Sequence, residues 1–331
     1  MPISSTYQPN APAAKSGVGS AISNREDLSN ELAILAPEET PILSLCSKGK
    51  ASATYTEWTV DSLASPATTG ISEGSDVTSF SDKFADRARL GNYIQLMRRD
   101  YLVSNLQQAV TSIGPANIAQ AEAKSMRELK RDIEATIASS NEMTVENGAG
   151  TPYGMRGYGK WIQATAQATN PVPASYLTPT GSIIATTITE TSFNTMIGSI
   201  FAKNGEMNSL TLVANVALRQ VISGFTRATP SSAGVTYHVN QDATSKAITL
   251  SVNLYDSDFG LVKIVNGNPS CMPTASTNVG YVINPKYLGF NTLIPMGATR
   301  LENQGGGERG FIDVAGTLVC KHPQAHGKIA Y

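Results

Sequence analysis

The stretch GMRGYGKW, residues 154–161, has the residue types and the spacing of a phosphate-binding loop. Gly154 and Gly159 lie five positions apart and Lys160 follows, which matches the G-x-x-x-x-G-K part of such a loop. A working loop also needs Ser or Thr after the lysine to hold Mg²⁺, a buried strand before it and a helix after it. Trp161 occupies the Mg²⁺ position, and a Gly-rich turn precedes the stretch. The sequence therefore favours a Gly-rich turn that exposes one lysine, with a nucleotide-binding enzyme that uses residues 154–160 as a remote alternative.

A second group of residues has the chemistry of a zinc site. Cys320, His322 and His326 form a C-x-H-x₃-H pattern of soft ligands. Pro323 lies between the two histidines and disfavours a shared helical face, while His238 is far away in sequence. Because no fourth ligand lies nearby, we expect strand-end packing and a hydrogen-bonded histidine, with no metal and no cofactor.

Other catalytic signatures are incomplete. Asp258, Phe259 and Gly260 copy a kinase triplet, but the Gly-rich loop, the strand lysine and the H-R-D loop of kinases are missing. No G-x-S-x-G or Cys/His motif indicates a nucleophile. The cations at 98–99 and 127–131 are interleaved with acids, which disfavours a site that reads nucleic-acid sequence. We therefore predict no catalytic residues and a protein that is not an enzyme.

Composition narrows the class of protein. The 331 residues have a formal charge of −1, and only 15% are charged, against about 25% in a typical soluble domain. Such a low charged fraction, without an apolar run long enough to span a membrane, fits a surface covered by partners. The start lacks the basic and apolar regions of a secretory signal, so we expect cytoplasmic synthesis and no membrane partner. Three scattered cysteines indicate reduced thiols.

Two predicted strands flank a long polar connection near the start of the chain. Residues 54–60 are rich in strand-favouring types, and residues 90–96 alternate, with Leu90, Ile94 and Leu96 on one face. Connections as long as the one between them are usually functional, and an isolated two-stranded arm is marginal in water. We infer that this arm packs against another molecule.

The remaining elements indicate an α+β fold. Residues 115–141 are predicted as the longest helix, with Leu129, Ile133 and Ile137 on its apolar stripe and with Lys130 and Glu134 paired on an exposed face. Further helices are predicted over 25–36, 190–203 and 217–225. Further strands are predicted over 210–214, 248–252, 261–265, 281–283 and 314–320.

Short motifs follow one another along some 300 residues of this chain. They are Arg25-Glu26-Asp27-Leu28-Ser29, Pro37 through Thr40-Pro41, Tyr55-Thr56-Glu57-Trp58 with Asp61-Ser62-Leu63, Glu73-Gly74-x-Asp76, Val103-Ser104, ELKRDIE at 128–134, Gly157 with Trp161, Tyr255 with SDFG at 257–260, and Ala325-His326-Gly327. In that order the chain resembles the major capsid proteins of tailed bacteriophages with the Hong Kong 97 fold. It departs from their pattern at Asn284 and Ile294, where an acidic and a basic residue are common, which affects local salt bridges and not the fold.

The resemblance implies an order of domains. Residues 1–46 are expected to form an N-terminal arm and residues 47–97 an extended β loop that lies over a neighbouring subunit. Residues 98–164 are expected to form a peripheral domain with a long spine helix, and residues 165–290 an α/β axial domain. Residues 291–331 are expected to return to the peripheral domain.

The resemblance also implies partners. Hexamers and pentamers of the chain are expected to form an icosahedral shell that encloses double-stranded DNA without reading its sequence, in the virion and, during assembly, in the host cytoplasm. A separate scaffolding protein, a portal and a decoration protein are further expected partners, and the shell of an encapsulin-like compartment is the alternative with the same fold. Some members of this family crosslink a loop lysine to an asparagine of a neighbouring subunit with the help of a glutamate. Lys83 is the only lysine of the arm after Lys50, and nothing in this sequence matches that arrangement, so the crosslink is not carried over to this chain. The expected inter-subunit contacts are Tyr55, Glu57, Trp58, Asp61, Glu73, Asp76, Arg127 and Arg131.

Overall fold

The computed structural model describes residues 39–110, 117–205, 210–225, 253–274 and 276–331. The predicted helix over 25–36, the predicted strand over 248–252 and most of the expected N-terminal arm lie outside these residues. The helices are α1 (Pro41–Leu45), α2 (Asn105–Ala109), α3 (Ile118–Ala138), α4 (Tyr158–Trp161), α5 (Glu190–Asn204) and α6 (Val216–Gly224). The strands are β1 (Ser47–Lys50), β2 (Tyr55–Val60), β3 (Ala88–Tyr93), β4 (Gln95–Val103), β5 (Ile183–Ile184), β6 (Leu210–Ala214), β7 (Leu254–Ser257), β8 (Gly260–Asn266), β9 (Val279–Ile283), β10 (Leu288–Leu301), β11 (Glu308–Cys320) and β12 (Gly327–Ala330).

A four-stranded sheet in the order β1-β10-β11-β4 packs against the long helix α3. Asn117 begins this helix, since its side chain accepts a hydrogen bond from the backbone N–H of Gln120. The predicted stripe of Leu129, Ile133 and Ile137 is buried against the sheet. Each of these side chains contributes about 1.5–3 kcal/mol through burial, so this stripe fixes the helix on the sheet.

A six-stranded mixed sheet in the order β5-β12-β9-β6-β8-β7 forms the second layer, with α5 and α6 packed on it. A capping box between Thr189 and Ser192 begins α5. Gly205 ends it in the left-handed conformation, with φ of 68°. Phe193 and Ile197 of α5 join Leu218 of α6 in one buried cluster over the sheet.

Two buried tyrosines join β9 of the six-stranded sheet to the end of α3 and to α4. The Tyr281 hydroxyl donates to the carbonyl oxygen of Ala138 at 2.7 Å, and the Tyr158 hydroxyl donates to that of Val282 at 2.9 Å. The two rings meet edge to face at 5.0 Å. Burial raises the pKa of both phenols, so both stay neutral donors. The two layers are therefore connected by paired hydrogen bonds as well as by apolar contact.

Glu134 of α3 is buried, and its predicted exposed position beside Lys130 is wrong. Its two carboxylate oxygens accept the backbone N–H groups of Ile42 and Leu43, each at 2.8 Å. These amides belong to the first turn of α1, which has no partner for them within its own helix. Burial raises the pKa of Glu134, and the two backbone hydrogen bonds oppose that rise. The carboxylate thus fixes α1 on α3.

Three further differences from the sequence-based prediction concern strands. The predicted strand is interrupted at Ile94, between β3 and β4. Because the alternation does not continue past this point, Leu96 is exposed while Leu90 and Ile94 are buried. The long strand β10 was not predicted, and its pairing with β11 shifts register between Thr292 and Gly297. β11 lies in the four-stranded sheet whereas β12 lies in the six-stranded one, so residues 291–331 supply strands to both sheets.

Candidate self-association surface

β2 and β3 form a two-stranded arm with a long exposed tip. The strands pair antiparallel from Tyr55 opposite Tyr93 to Val60 opposite Ala88. Residues 61–87, which we call the tip, are all exposed. Five large apolar side chains of the tip are 63–98% exposed, namely Leu63, Ile71, Val77, Phe80 and Phe84. They stay largely in solvent, even though Arg87 lies over the ring of Phe84. A concentration of exposed apolar side chains in one segment marks an interaction site.

The tip carries an acidic excess. It has five acids and two bases, which gives a formal charge of −3 (two minus five). At its neck Arg87 lies 3.1 Å from Asp61 and 4.4 Å over the ring of Phe84. Because the Arg87 and Asp61 side chains are both solvent-exposed, this pair contributes less than about 1 kcal/mol. It closes the neck and leaves the other four acids of the tip without an ion pair among the described residues.

The base of the arm is held by the body of the chain. The ring of Trp58 lies 5.6 Å from that of Trp161. The side-chain amide of Asn170 donates to the Tyr55 hydroxyl at 2.9 Å. The Tyr176 hydroxyl donates to the carbonyl oxygen of Asp86 at 2.6 Å. The body thus holds β2 and the end of the tip next to β3, so the tip projects from a defined point.

The long helix α3 carries several cations at exposed positions. Lys124, Arg127 and Lys130 occupy exposed positions of α3. Two acids of the same helix bind arginines of the adjacent sheet. Asp132 accepts two hydrogen bonds from Arg99, at 2.6 and 2.7 Å, and Glu122 lies 3.5 Å from Arg300. The helix therefore offers a partly basic face that complements an acidic segment.

The expected inter-subunit residues lie on these two elements. Glu57 is exposed and lies 3.5 Å from Arg89, while Glu73 and Asp76 are exposed in the tip. Arg127 and the half-buried Arg131 lie on α3. Their contacts with a second copy stay a prediction, and Tyr55, Trp58 and Asp61 make the contacts within the chain already described.

Sequence reasoning missed the five apolar residues of the tip. The signal that could have found them is their isolation within a Ser-, Thr- and Gly-rich connection, where such side chains find no neighbours along the chain.

Residues 154–160 form a packed turn and not a phosphate-binding loop. α4 is a single turn, and Gly157 lies so close to α3 that a Cβ there would be 2.3 Å from the carbonyl oxygen of Ser139. The Gly159 N–H donates to the same oxygen at 3.0 Å, so this amide faces protein. Lys160 is half-buried, with its Nζ 3.8 Å from Glu142. The predicted turn is confirmed and Trp161 is buried, while Lys160, predicted as an exposed lysine, is half-buried.

The Cys320, His322 and His326 cluster is built into the core. His326 is fully buried, and its Nδ1 accepts the backbone N–H of Asn284 at 3.2 Å. His322 packs between the rings of Tyr176 and Tyr287. Over the described ranges, no group of three His, Cys, Asp or Glu side chains has the geometry to hold a metal ion. In the same part of the chain, no helix combines the length and apolarity needed to cross a bilayer.

Comparison of the sequence with models of known protein families shows which family this chain belongs to. The model of the SU10 major capsid protein family matches residues 9–331. The chain belongs to this family. It is therefore a capsid protein of virion particles that associates with its own copies. No curated protein matches it in sequence.

Solved structures show that this capsid protein has a Hong Kong 97-type fold. The capsid protein of cyanophage P-SCSP1u is 13% identical, with a TM-score of 0.63 over 95% of this chain and 94% of that one. The capsid of the native GTA particle is 12% identical, with a TM-score of 0.59 over 98% and 99% of the two chains. The SrpI encapsulin of Synechococcus elongatus is also similar, at 9% identity and a TM-score of 0.52 over 98% and 96%. The encapsulin likeness is the weaker one and does not favour that alternative.

Proposed function

We propose that this chain assembles as hexamers and pentamers into an icosahedral shell around the double-stranded DNA of a tailed phage. The observation that carries the proposal is the tip at residues 61–87, with five large apolar side chains in solvent on an arm whose base is fixed. Each of these side chains contributes about 1.5–3 kcal/mol if a neighbouring copy buries it. Contacts of this size, repeated at every subunit, add up through multivalency.

We propose that the tip of one copy lies over the spine helix of the next. Glu73 and Asp76 in the tip and Arg127 and Arg131 on α3 have opposite charges and lie on different elements of the chain. Opposite charges on two faces orient a docking encounter more than they strengthen it. In this arrangement apolar burial supplies most of the affinity and the charges select the register.

A shortened arm tests the proposal. Val60 pairs with Ala88, so replacing residues 62–87 by one glycine leaves Asp61-Gly as a two-residue turn between paired strands. Asp-Gly suits such a turn, and the body of the chain is expected to fold unchanged. We expect this variant to remain soluble and to form no shells in electron micrographs. Regular shells from it would overturn the role of the arm.

A matched variant separates the length of the tip from its chemistry. Serine at positions 63, 71, 77, 80 and 84 keeps the full tip and removes the exposed apolar area. We expect this protein to fold and to assemble poorly, as the shortened arm does. Normal assembly by the serine variant would contradict the apolar contact, even if the shortened arm fails.

We propose the same division of the chain into working parts as the resemblance implies. Residues 1–46 serve as an N-terminal arm, 47–97 as the extension loop, 98–164 as the peripheral domain, 165–290 as the axial domain and 291–331 as the return to the peripheral domain. The six-stranded sheet, built largely from residues 183–283, supports an axial domain, with β12 completing it. Because β12 lies between β5 and β9, a fragment of residues 165–290 joined to residues 327–330 is the one to test for ring formation.

We propose that the chain catalyses no reaction and works with a scaffolding protein, a portal and a decoration protein, assembling in the host cytoplasm. The packed turn at residues 154–160 supports the absence of nucleotide chemistry. DNA in purified particles from infected cells supports the phage shell, whereas an enzyme cargo without DNA would favour an encapsulin-like compartment.

A further inference from the structure

Arg156 is a buried cation at the point where the arm meets the body. Its side chain is 0% exposed, and its Nε donates to Glu142 at 2.7 Å. Its Nη2 donates to the carbonyl oxygens of Thr169 and Asn170. Its guanidinium carbon lies 4.6 Å over the ring of Trp161. One side chain therefore joins the turn after α3, the loop at 169–170 and the Trp161 ring.

Every partner of Arg156 except Glu142 and Thr169 also touches the arm. Trp161 packs on Trp58 of β2 at 5.6 Å, and Asn170 donates to Tyr55 of β2 at 2.9 Å. On the other strand, the side chain of Asn92 accepts the backbone N–H of Arg156 at 2.8 Å and donates back to its carbonyl oxygen at 3.3 Å. The side chain of Arg156 thus acts on β2, through Trp161 and Asn170, while its backbone holds β3 through Asn92.

The backbone at Asn170 indicates that this arrangement is imposed by its contacts. Asn170 has a φ of +41°, the one positive value among described residues other than glycine, and Pro171 follows it. Such a backbone costs of order 1–3 kcal/mol and persists where the surroundings hold it. Arg156 binds its carbonyl oxygen and Tyr55 binds its side chain, so the strain is held by the base of the arm.

A buried ion pair is a poor source of net stability, because removing two charges from water costs about as much as their attraction returns. Burial lowers the pKa of Arg156, and the hydrogen bond and charge of Glu142 oppose that change. A hydrophobic side chain in this position would fill the same space. The fixed fork of the guanidinium instead binds three groups in set directions.

We propose that Arg156 is a positioning residue that sets the direction in which the arm leaves the body, and that regular shell assembly depends on it while the fold of the body does not. The proposal rests on the proposed function, because the arm is taken as the assembly element. It assigns to one buried side chain the task of aligning the tip with a neighbouring copy.

The test uses the two tryptophans of the chain as the probe. Trp58 and Trp161 are the only tryptophans in the sequence, so their exciton couplet in circular dichroism reports the position of the arm base. Arg156→Met keeps most of the side-chain volume and removes the fork. We expect it to retain the helix signal, to lose the couplet and to give about tenfold fewer regular shells, which corresponds to about 1.4 kcal/mol.

Two further variants make the outcome decisive. Arg156→Lys keeps the charge beside Glu142 but cannot reach both carbonyl oxygens of the 169–170 loop, so it is expected to fold and still lose the couplet. Arg219→Met is the control, since the half-buried Arg219 donates a hydrogen bond to the side chain of Asn253 from α6 and lies on neither the arm nor α3. We expect the control to keep the couplet and the shells.

The possible results separate the inference from the proposed function. A native couplet and normal shells in both Arg156 variants would overturn the inference, and so would lost shells with a native couplet. Equal loss of shells in the Arg219 control would do the same, because any partly buried arginine would then matter as much. If the unmodified protein forms no shells, the proposed function fails, while the couplet still reports whether Arg156 positions the arm.

Discussion

His326 makes the unfolding free energy of this protein depend on acid. The ring is fully buried, meets Tyr158 edge to face at 5.4 Å and accepts a hydrogen bond from Asn284 through Nδ1. Burial lowers the pKa of His326 from 6.5 to about 3, with a smaller contribution in the same direction from His322 and an opposing one from the backbone of Tyr287. Between about pH 3 and pH 6.5 the folded protein therefore holds a neutral imidazole where the unfolded chain holds a charged one.

The sign and the size of the effect follow from this difference. Below pH 6.5 the unfolded chain takes up a proton that the folded protein does not accept until about pH 3. The stability that His326 contributes is full above pH 6.5 and is lost as the pH falls towards 3, at about 1.4 kcal/mol per pH unit. Between pH 7.5 and pH 4.5 the loss amounts to about 2.7 kcal/mol for this one group.

Urea unfolding of His326→Asn checks the prediction. The asparagine oxygen can accept the Asn284 N–H but does not titrate, so this variant loses stability at pH 7.5 while its change between pH 7.5 and 4.5 shrinks by about 2.7 kcal/mol. The protein concentration is held fixed, because self-association adds to the apparent stability. His322→Asn is the control, since His322 is only half-buried and is expected to change the acid dependence less. Equal acid dependence in His326→Asn and the unmodified protein would refute the reasoning.

Three other substitutions have defined outcomes. Glu134→Gln replaces one of two acceptor oxygens by a donor and leaves one amide of α1 unpaired, so we expect a loss of about 1–3 kcal/mol in the free energy of unfolding by urea titration; an unchanged midpoint would contradict this. Gly157→Ala places a methyl group 2.3 Å from the carbonyl oxygen of Ser139, and overpacking predicts a cost of at least about 1–3 kcal/mol, with Gly306→Ala, where nothing lies within 4 Å, as the control. Lys160→Ala removes one half-buried ion pair and is expected to shift stability by less than about 1 kcal/mol, with no nucleotide binding by calorimetry before or after the change; binding lost in the variant would restore the enzyme alternative.

Elements with a clear period were predictable from the sequence. The stripe on α3 and the bounds of α5 depend on local spacing, so the sequence placed them to within a few residues. The arm was also recognisable, because two strand-like segments flank a connection too long for a hairpin.

Features that depend on distant contacts could not be predicted. Pro295 and Gly297 interrupt the pattern of β10, and the strand exists because β11 and β1 pair with it on either side. The local sequence predicts Glu134 to be a surface residue paired with Lys130. In the structure it binds two backbone amides of α1, which lie 91 and 92 residues earlier in the chain. Arg156 gave no signal beyond its place in a Gly-rich stretch, since its partners come from four separate segments.

The pairing of β1 with β10 can form only late in the synthesis of each copy. Ser47 pairs with Gly289, and its hydroxyl binds the carbonyl oxygen of Leu288, 241 positions along the chain. A ribosome that adds about 5–20 residues per second needs roughly 12–50 seconds to cover that interval. In the later part of this time α3 has been made but has only β4, and not yet β11, of the two strands it packs against, while the tip is already out of the ribosome. The nascent chain therefore exposes two apolar surfaces at the same time, the stripe of α3 and the tip. We expect the yield of folded protein to depend on chaperones that shield the stripe of α3 until β10 and β11 have been synthesised.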